Sequence, residues 1–355
     1  MKKKCKVCNK NFLDKLNLGN HPCADTFLKN KNHAIKLKRY PLVVGYCKCS
    51  HLTSLHKVPE KERYEKYEYS YTSDNSPVSR LHFKKIAKRI IKYFHIKPNS
   101  FVVEAGSNDG TFLKEIKNFS KSKVLGVDPS KNISNIASKK KLDTFLGYFN
   151  FDNSKLIRNK YGKADIIYGA NVFNHVDNNL DFLEGANHLL SDNGVLVLEV
   201  PDLNSLISKV GFDTIYHEHR HYYSEKSLNK ILKQKKFYIF KIEKISYMAG
   251  SIRVFAKKNK IKFQKNFTSV SLSDFKAFKK KIKYVSQEIV SFVKDKNLNK
   301  IKVFGLGAAT KGNTLLNYCK FTEKNISYIL DKSKLKINKH TPGSGIKIVD
   351  ENKFK

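Results

Sequence analysis

The sequence predicts an α/β fold in three parts: a small N-terminal zinc-binding module, a central doubly wound parallel sheet, and a second Rossmann-like unit. Three observations support it: cysteines are concentrated near the amino end, short apolar strands alternate with amphipathic helices, and a strand, glycine turn and helix occur twice. We place the domains at residues 1–75, 76–260 and 261–355.

Composition limits the classes of function. At 355 residues and 40% hydrophobic content, the chain can bury its own cores. A net charge of +38 attracts phosphate and could indicate an RNA or DNA partner, but lysine is spread along the whole chain, which indicates compositional bias. We therefore expect phosphorylated small molecules rather than nucleic acid. Without an apolar stretch of membrane-spanning length or an apolar signal at the start, we expect a cytoplasmic protein with no membrane contact.

The first segment carries the cysteine pattern of a zinc site. Five of the six cysteines lie in the first 49 residues, beginning with a Cys-x-x-Cys knuckle. The second pair is one residue tighter than usual, so the fourth ligand stays open between Cys49, His51 and Cys23, and buried thiols without metal are the alternative. We assign the metal ligands as Cys5, Cys8, Cys47 and Cys49.

The central segment begins with a nucleotide-binding pattern. An amphipathic helix from Leu81 to Phe94 leads to a buried strand at 100–104, a glycine turn, a helix, and a strand that ends at Asp128. The turn is not the Gly-x-Gly-x-x-Gly of a dinucleotide site, and an acid at the second strand's end accepts ribose hydroxyls. This favours S-adenosylmethionine over NAD. The predicted cofactor residues are Glu104, Gly106, Asn108, Asp109, Gly110, Asp128 and Asn171.

Residues 216–223 hold the densest group of acid and base side chains in the chain, with three histidines and a glutamate. One alternative is a polar surface turn, although residues 213–223 contain no lysine in a lysine-rich protein. Another is metal ligation by alternating imidazoles. Because the group follows the cofactor pattern in the same domain, we favour proton transfer beside a bound cofactor.

The third segment repeats the nucleotide-binding theme. A long basic helix from Phe275 to Lys294 precedes a strand and glycine turn at 302–313, and a further strand ends at Asp331. The turn could hold a diphosphate beside Lys311. Close packing of helix on strand would also need its glycines, so both interpretations stay open.

Together these motifs resemble the sugar C-methyltransferases that act on nucleotide-linked 4-keto-deoxysugars. The resemblance covers nearly the whole chain. It implies a zinc module, a class I methyltransferase domain of Rossmann type and a C-terminal Rossmann-like domain. The motifs that carry it are Cys5–Cys8, His21–Phe27, Glu104–Gly110, Asn171–His175, Tyr216–His219, Gly250–Arg253 and Gly305–Asn313.

The resemblance also implies roles for single residues. His219 is the expected general base, and Tyr216, Glu218 and His175 are expected to line the sugar pocket. A tyrosine of the 64–71 stretch reaches in from the zinc module, and we favour Tyr71. The substrate-binding residues that it implies are Arg253, Lys311 and Asn313.

The implied reaction suits these side chains. Methylation of a carbon beside a ketone needs a base to remove a proton and donors to hold the enolate oxygen. His219 can take the proton, while Tyr216 or His175 can donate to the oxyanion. That step needs no metal, so we expect the zinc to be structural.

The sequence departs from the family at its end. The chain stops at Lys355, where the family ordinarily continues through another strand and helix, so we expect an incomplete C-terminal sheet. Three hypotheses remain: an S-adenosylmethionine-dependent C-methyltransferase of a nucleotide-linked 4-keto-deoxysugar, a basic zinc protein that binds nucleic acid or methylates RNA, and an inactive family member. The oligomeric state is not predicted.

Overall fold

The computed structural model describes residues 4–261, 263 and 265–354, and their strands form three sheets. Met1–Lys3, on which the prediction of location partly rests, lie outside the described residues. Within the described ranges, no helix combines the length and the apolar character that crossing a membrane requires.

The N-terminal segment is built on an antiparallel sheet. Its elements are β1 (Asp14–His21), α1 (Lys31–Ile35), β2 (Tyr40–Cys47), β3 (His51–Ser54) and α2 (Glu60–Tyr64). In β2, Leu42, Val44 and Tyr46 are all buried because alternate side chains of a strand point to one face. Tyr46 stacks on Phe275 with the ring centroids 5.0 Å apart, so this face meets the C-terminal segment.

The central segment forms a seven-stranded sheet flanked by helices. Its elements are α3 (Pro77–Phe94), β4 (Phe101–Ala105), α4 (Thr111–Ser120), β5 (Lys123–Asp128), α5 (Lys131–Lys139), β6 (Thr144–Leu146), α6 (Phe151–Tyr161), β7 (Ala164–Ala170), α7 (Asn179–Leu189), β8 (Leu190–Pro201), α8 (Leu203–Ser208), β9 (His221–Tyr223), α9 (Glu225–Gln234), β10 (Tyr238–Ile245) and β11 (Ser251–Lys257). All of these strands except β9 belong to this sheet.

The order of the seven strands indicates where a ligand would bind. It runs β6-β5-β4-β7-β8-β11-β10, and the five strands from β6 to β8 are parallel. The chain winds outward from β4 in one direction and from β7 in the other. In such sheets the ligand binds at the carboxyl ends of the strands where the winding reverses.

The last two strands, which the sequence did not predict, add an antiparallel edge to the parallel sheet. β11 pairs antiparallel with β8, and β10 pairs antiparallel with β11. Residues 246–250 alone connect β10 to β11, and a parallel crossover needs a far longer connection. The edge of the sheet is therefore a hairpin.

Helix α3 shows how the sequence sets an element. Ser76 caps its start by accepting a hydrogen bond from the backbone N–H of Ser79, and Pro77 occupies the first turn. Phe83, Ile86 and Ile90 are buried on one face, three to four residues apart. Each such side chain stabilises the fold by roughly 1.5–3 kcal/mol on burial.

Strand β9 joins the central segment to the N-terminal sheet. It pairs antiparallel with β3, with Leu52 opposite Tyr222, and so becomes the fourth strand of that sheet. The acid- and base-rich run at residues 216–223 therefore lies at the junction of the two segments.

The C-terminal segment comprises α10 (Leu272–Leu298), β12 (Phe304–Leu306), α11 (Gly312–Tyr318), β13 (Tyr328–Asp331) and β14 (Ile348–Asp350). Its three strands are parallel, in the order β12-β13-β14. The start of α10 packs Phe275, Phe278 and Ile282 into a core shared with α8 and the N-terminal sheet. All three segments therefore meet in one core beside the cavity described below.

A buried charge network joins the central strands to the edge hairpin. One carboxylate oxygen of Glu199, on β8, accepts hydrogen bonds from Arg253 Nε at 2.6 Å and from the Tyr168 hydroxyl at 2.9 Å. The other oxygen bonds His82 Nε2 at 2.8 Å, and Arg253 also bonds Glu243 at 2.9 Å. Burial alone would raise the pKa of Glu199, but its hydrogen bond with His82 and the charge of Arg253 hold that pKa below its ordinary value.

We expect Arg253→Met to destabilise the protein by about 3–5 kcal/mol, because it leaves the buried carboxylate of Glu199 without its arginine partner. Chemical denaturation of the full chain at neutral pH measures this. Arg89→Met is the matched control: Arg89 pairs with Glu243 at 2.7 Å but its side chain is 50% exposed, so its loss should cost about 1 kcal/mol or less. Equal small losses in the two variants would show that the buried network contributes little.

Candidate active site

The glycine-rich turn joins β4 to α4 where the winding of the sheet reverses. Gly106 has a φ of +66°, and a Cβ added there would lie 2.8 Å from the Cβ of Val172. The position therefore requires glycine. The backbone N–H of Asn108 donates to Oδ2 of Asp128 over 2.9 Å, which ties the turn to the end of β5.

Asp128, at the end of β5, lines the cavity. Its Oδ1 accepts a hydrogen bond from the backbone N–H of Ser130 at 2.9 Å. Burial raises the pKa of Asp128, and the hydrogen bonds from Ser130 and Asn108 oppose that shift. A carboxylate oxygen has more than one acceptor position, so Asp128 can still accept hydroxyl groups of a ligand.

Three of the predicted cofactor residues belong to the turn or to the strand before it but do not line the cavity. Glu104 is buried on β4, and burial raises its pKa well above the ordinary value. Asp109 Oδ1 accepts from the Thr111 hydroxyl at 2.7 Å. Gly110 has a φ of +75° at the start of α4. The predicted cofactor residues that do line the cavity are Gly106, Asn108, Asp128 and Asn171.

His219 is held at the cavity by both ring nitrogens. Nδ1 lies 2.8 Å from the backbone carbonyl oxygen of Thr214, and Nε2 lies 2.7 Å from the hydroxyl of Tyr216. A carbonyl only accepts, so Nδ1 carries the hydrogen and Nε2 carries the lone pair. Burial lowers the pKa of His219 to about 4, so the ring is neutral at pH 7.

His175 stands beside His219, with the ring centroids 4.7 Å apart. Its Nδ1 lies 3.0 Å from the hydroxyl of Tyr64, and Arg63 donates to that hydroxyl at 3.3 Å. Burial raises the pKa of Tyr64 and lowers that of His175 well below its usual value, so the phenol is protonated and the imidazole is neutral. Tyr64 then donates to Nδ1, and Nε2 of His175 carries the hydrogen.

Glu218 supplies a carboxylate to the same cavity. Its Oε1 accepts the backbone N–H of Asp25 at 3.0 Å, and its buried Oε2 has no hydrogen-bond partner within the described part of the chain. Burial raises the pKa of Glu218 to about 7, and the nearby charge of Asp25 also raises it. Glu218 can therefore bind a ligand hydroxyl as donor or as acceptor near neutral pH.

Tyr71 also lines the cavity, but its hydroxyl lies 3.3 Å from that of Tyr247. Tyr247 in turn lies 2.6 Å from the Ser79 hydroxyl. The tyrosine that contacts His175 is Tyr64, at the end of α2. Both Tyr64 and Tyr71 of the predicted tyrosine stretch therefore lie in the cavity wall.

The cavity has a volume of about 850 Å³ and is lined by all three segments. The C-terminal segment contributes the glycine turn after β12 and three of the four lysines in the wall. Lys311 lines the cavity and pairs with Asp213 at 3.0 Å. The lysines in the cavity wall are Lys57, Lys311, Lys332 and Lys336.

Two residues predicted to bind substrate lie apart from the cavity. Arg253 belongs to the buried network around Glu199. Asn313 is 3% exposed and donates from Nδ2 to the carbonyl oxygen of Ala24 at 2.7 Å, so it fastens α11 to the N-terminal segment. Neither contributes to the cavity wall.

The four assigned cysteines lie together. The sulfur atoms of Cys5, Cys8, Cys47 and Cys49 all lie within 4.8 Å of one another, the only such group of metal-ligand side chains in the described residues. His51 instead bonds Nδ1 of His221 at 3.1 Å. Cys23 packs elsewhere, with Tyr40 and Val58.

Sequence reasoning missed several residues of the cavity wall. Tyr64 was one of several tyrosines without a distinguishing neighbour. Asp25 stands in the quoted motif His21–Phe27, which was the signal that it has a role. Lys332 and Lys336 follow Asp331, but nothing in the sequence distinguished them from the many other lysines.

Two family descriptions match the chain. Residues 79–241 match a methyltransferase domain, and residues 248–355 match the C-methyltransferase C-terminal domain. The C-methyltransferase NovU of Streptomyces niveus is 27% identical over 358 residues, an alignment that covers 97% of this chain and 84% of that protein.

Solved structures are similar over about half of the chain. Magnesium protoporphyrin IX methyltransferase from Synechocystis PCC 6803, with bound SAH, is 16% identical and has a TM-score of 0.42; the match covers 52% of this chain and 88% of that one. A protein from Pyrococcus horikoshii OT3 is 13% identical with a TM-score of 0.42, over 53% of this chain and 94% of that one.

Proposed function

We propose that this chain, an S-adenosylmethionine-dependent methyltransferase that is similar to C-methyltransferases, methylates carbon 3 of a nucleotide-linked 4-keto-deoxysugar. The observation that carries the proposal is the state of His219. Its Nδ1 donates to the carbonyl oxygen of Thr214, so the basic nitrogen is Nε2, which lies against the hydroxyl of Tyr216 at the cavity. A neutral, oriented imidazole can remove a proton from a carbon beside a ketone.

The low pKa of His219 is compatible with this role. Burial disfavours the imidazolium in the resting protein. When a proton moves from carbon 3 to Nε2, an enolate forms beside the ring, and opposite charges at short range favour the imidazolium. The reaction itself therefore strengthens the base.

Two neighbours suit the developing oxyanion. When the substrate's carbon 3 lies against Nε2 of His219, the hydroxyl of Tyr216 loses its hydrogen bond to that nitrogen. It can then donate to the sugar oxygen. The chain from Arg63 through Tyr64 to Nδ1 of His175 leaves Nε2–H of His175 as a second donor. Preorganised donors of this kind stabilise an enolate without reorganisation of solvent.

The nucleotide end of the substrate suits the part of the cavity wall that the C-terminal segment forms. Lys311, Lys332 and Lys336 line it, and Gly307 follows β12 with a φ of +82°. Ammonium groups beside a glycine turn favour a diphosphate.

The cofactor supplies the methyl group when it is bound. The residues that would hold it are Gly106, Asn108, Asp128 and Asn171. Two observations support this fit. Position 106 accepts only glycine, so no side chain separates the backbone from a ligand, and Asp128 lines the cavity. This arrangement suits a ribose with two adjacent hydroxyls.

We expect His219→Ala to lower turnover of a nucleotide-linked 4-keto-deoxysugar by roughly two orders of magnitude or more, the scale of a lost general base. The base step can be isolated by mixing protein, substrate and S-adenosylhomocysteine in D₂O. The wild-type protein should exchange the hydrogen at carbon 3 for deuterium, and His219→Ala should not. The affinity of this variant for S-adenosylhomocysteine should remain within about threefold of the wild type, because His219 lies outside the proposed cofactor set.

Absence of turnover by the wild-type protein would reject the substrate. If His219→Ala exchanged the hydrogen at carbon 3 as fast as the wild-type protein does, His219 would not be the base.

Asp128→Ala should weaken binding of S-adenosylhomocysteine by about tenfold or more, since hydrogen bonds to a charged group contribute about 1.5–3 kcal/mol. Isothermal titration calorimetry measures it. Asp165→Ala is the matched control, because Asp165 also accepts a backbone N–H, from Phe101 at 2.9 Å, but at the opposite end of the strands. An unchanged dissociation constant in Asp128→Ala would remove this residue from the ribose site.

We also propose that the four cysteines hold a structural zinc ion. Tetrahedral zinc with Zn–S bonds of about 2.3 Å places sulfur atoms about 3.8 Å apart. The sulfurs of Cys5 and Cys49 are 3.7 Å apart, and those of Cys8 and Cys47 are 3.1 Å apart. This spacing needs only small adjustments to accept the ion.

Metal analysis of purified protein should find about one zinc per chain. The Cys49→Ser variant should lose the zinc ion and have a lower thermal stability, whereas Cys23→Ser should retain the zinc ion. Loss of zinc in Cys23→Ser, with retention in Cys49→Ser, would overturn the assignment of the fourth ligand.

A further inference from the structure

Asp25 connects four separate parts of the chain. Its Oδ1 accepts from the hydroxyls of Ser70 at 2.8 Å and Thr310 at 2.7 Å, and its Oδ2 accepts the backbone N–H of Ser70 at 2.8 Å. Its own N–H donates to Glu218. The residue is only 6% exposed and lies in the cavity wall.

Each connection leads to a part of the cavity. Glu218 receives one bond on Oε1, which leaves Oε2 for a ligand. Ser70 stands between Tyr69 and Tyr71, and both tyrosines line the cavity. The orientation of these groups therefore depends on where Asp25 is held.

Thr310 brings the C-terminal segment into this arrangement. It lies in the turn between β12 and α11, next to Lys311 and close to Gly307, which also line the cavity. A hydrogen bond to a buried carboxylate is stronger than one between neutral groups, and its length here is 2.7 Å. Movement of this turn would thus be transmitted to Asp25.

We propose that Asp25 is a positioning residue that couples docking of the C-terminal turn, through the Thr310 hydroxyl, to the placement of Glu218 and Ser70. The inference rests on the proposed function for its catalytic consequence. A nucleotide diphosphate that orders the turn would thereby set the sugar end of the cavity. The nucleotide part of the substrate would then contribute to turnover as well as to binding.

A purely local role for Thr310 predicts a different result. If its hydroxyl only contacted the nucleotide, its removal would raise KM and leave kcat unchanged. If it only strengthened the interface between segments, any bond across that interface would serve equally well.

The test compares Thr310→Val with Thr310→Ser in the full chain. Valine keeps the shape and removes the hydroxyl, whereas serine keeps the hydroxyl. Arg39→Ala is the control: exposed Arg39 bonds Asn317 at 3.1 Å and the carbonyl of Gly343 at 2.9 Å, so it bridges the same two segments outside the cavity.

We expect Thr310→Val to lower kcat for the nucleotide-linked 4-keto-deoxysugar about tenfold, the scale of a small misplacement of reacting groups. Affinity for S-adenosylhomocysteine should not change. Thr310→Ser should restore at least half of kcat, and Arg39→Ala should match the wild type.

A second readout needs no substrate. Hydrogen exchange followed by mass spectrometry monitors the amides of Asp25 and Ser70, both of which bond buried carboxylates. Their peptides should exchange faster in Thr310→Val but not in Thr310→Ser or Arg39→Ala.

Unchanged exchange in Thr310→Val, or a rise in KM at constant kcat, would overturn the coupling. Faster exchange in a protein whose wild type does not turn over this sugar would reject the proposed substrate and support the coupling.

Discussion

The hydrogen bond from Nδ1 of His219 to the carbonyl oxygen of Thr214 is the interaction on which this site depends. It fixes the tautomer, and with it the nitrogen that can act as a base. Thr214 belongs to a short 3₁₀ turn at residues 212–214 whose Phe212 is buried in the core that α10 shares with the N-terminal sheet. The orientation of one imidazole is thus fixed by packing among all three segments.

A second set of charges holds the N-terminal segment against the central one. Asp177 follows the His175 turn and pairs with Arg63 at 3.0 Å and with Arg220 at 2.9 Å. Burial would raise the pKa of Asp177, but the two arginines lower it. Arg63 adjoins Tyr64, and Arg220 adjoins His219, so the same carboxylate anchors the chain beside both histidines of the site.

Much of the fold was predictable because its signals are local. The strand before Gly106, the acid at the end of β5 and the helical spacing of Phe83, Ile86 and Ile90 depend on near neighbours. The edge hairpin was missed because pairing of β11 with β8 depends on distant contacts. The surroundings of Arg253 could not be predicted for the same reason: the motif gives the residue, but its hydrogen bond with buried Glu199 joins positions distant in sequence.

The site was predictable as a set of residue types rather than as a set of contacts. The density of histidine at residues 216–223 indicated chemistry, and the family resemblance singled out His219. The structure adds the contacts: His219 bonds Thr214 and Tyr216, whereas His221 bonds His51. Tyr64 and Tyr71 were equivalent in sequence, and only Tyr64 contacts His175.

The most direct test of the central claim is ¹⁵N NMR of the His219 ring between pH 6 and 8. The account predicts a neutral imidazole with hydrogen on Nδ1 and a lone pair on Nε2 throughout this range, because burial lowers its pKa to about 4. A spectrum showing hydrogen on Nε2, or an imidazolium at pH 7, would contradict it.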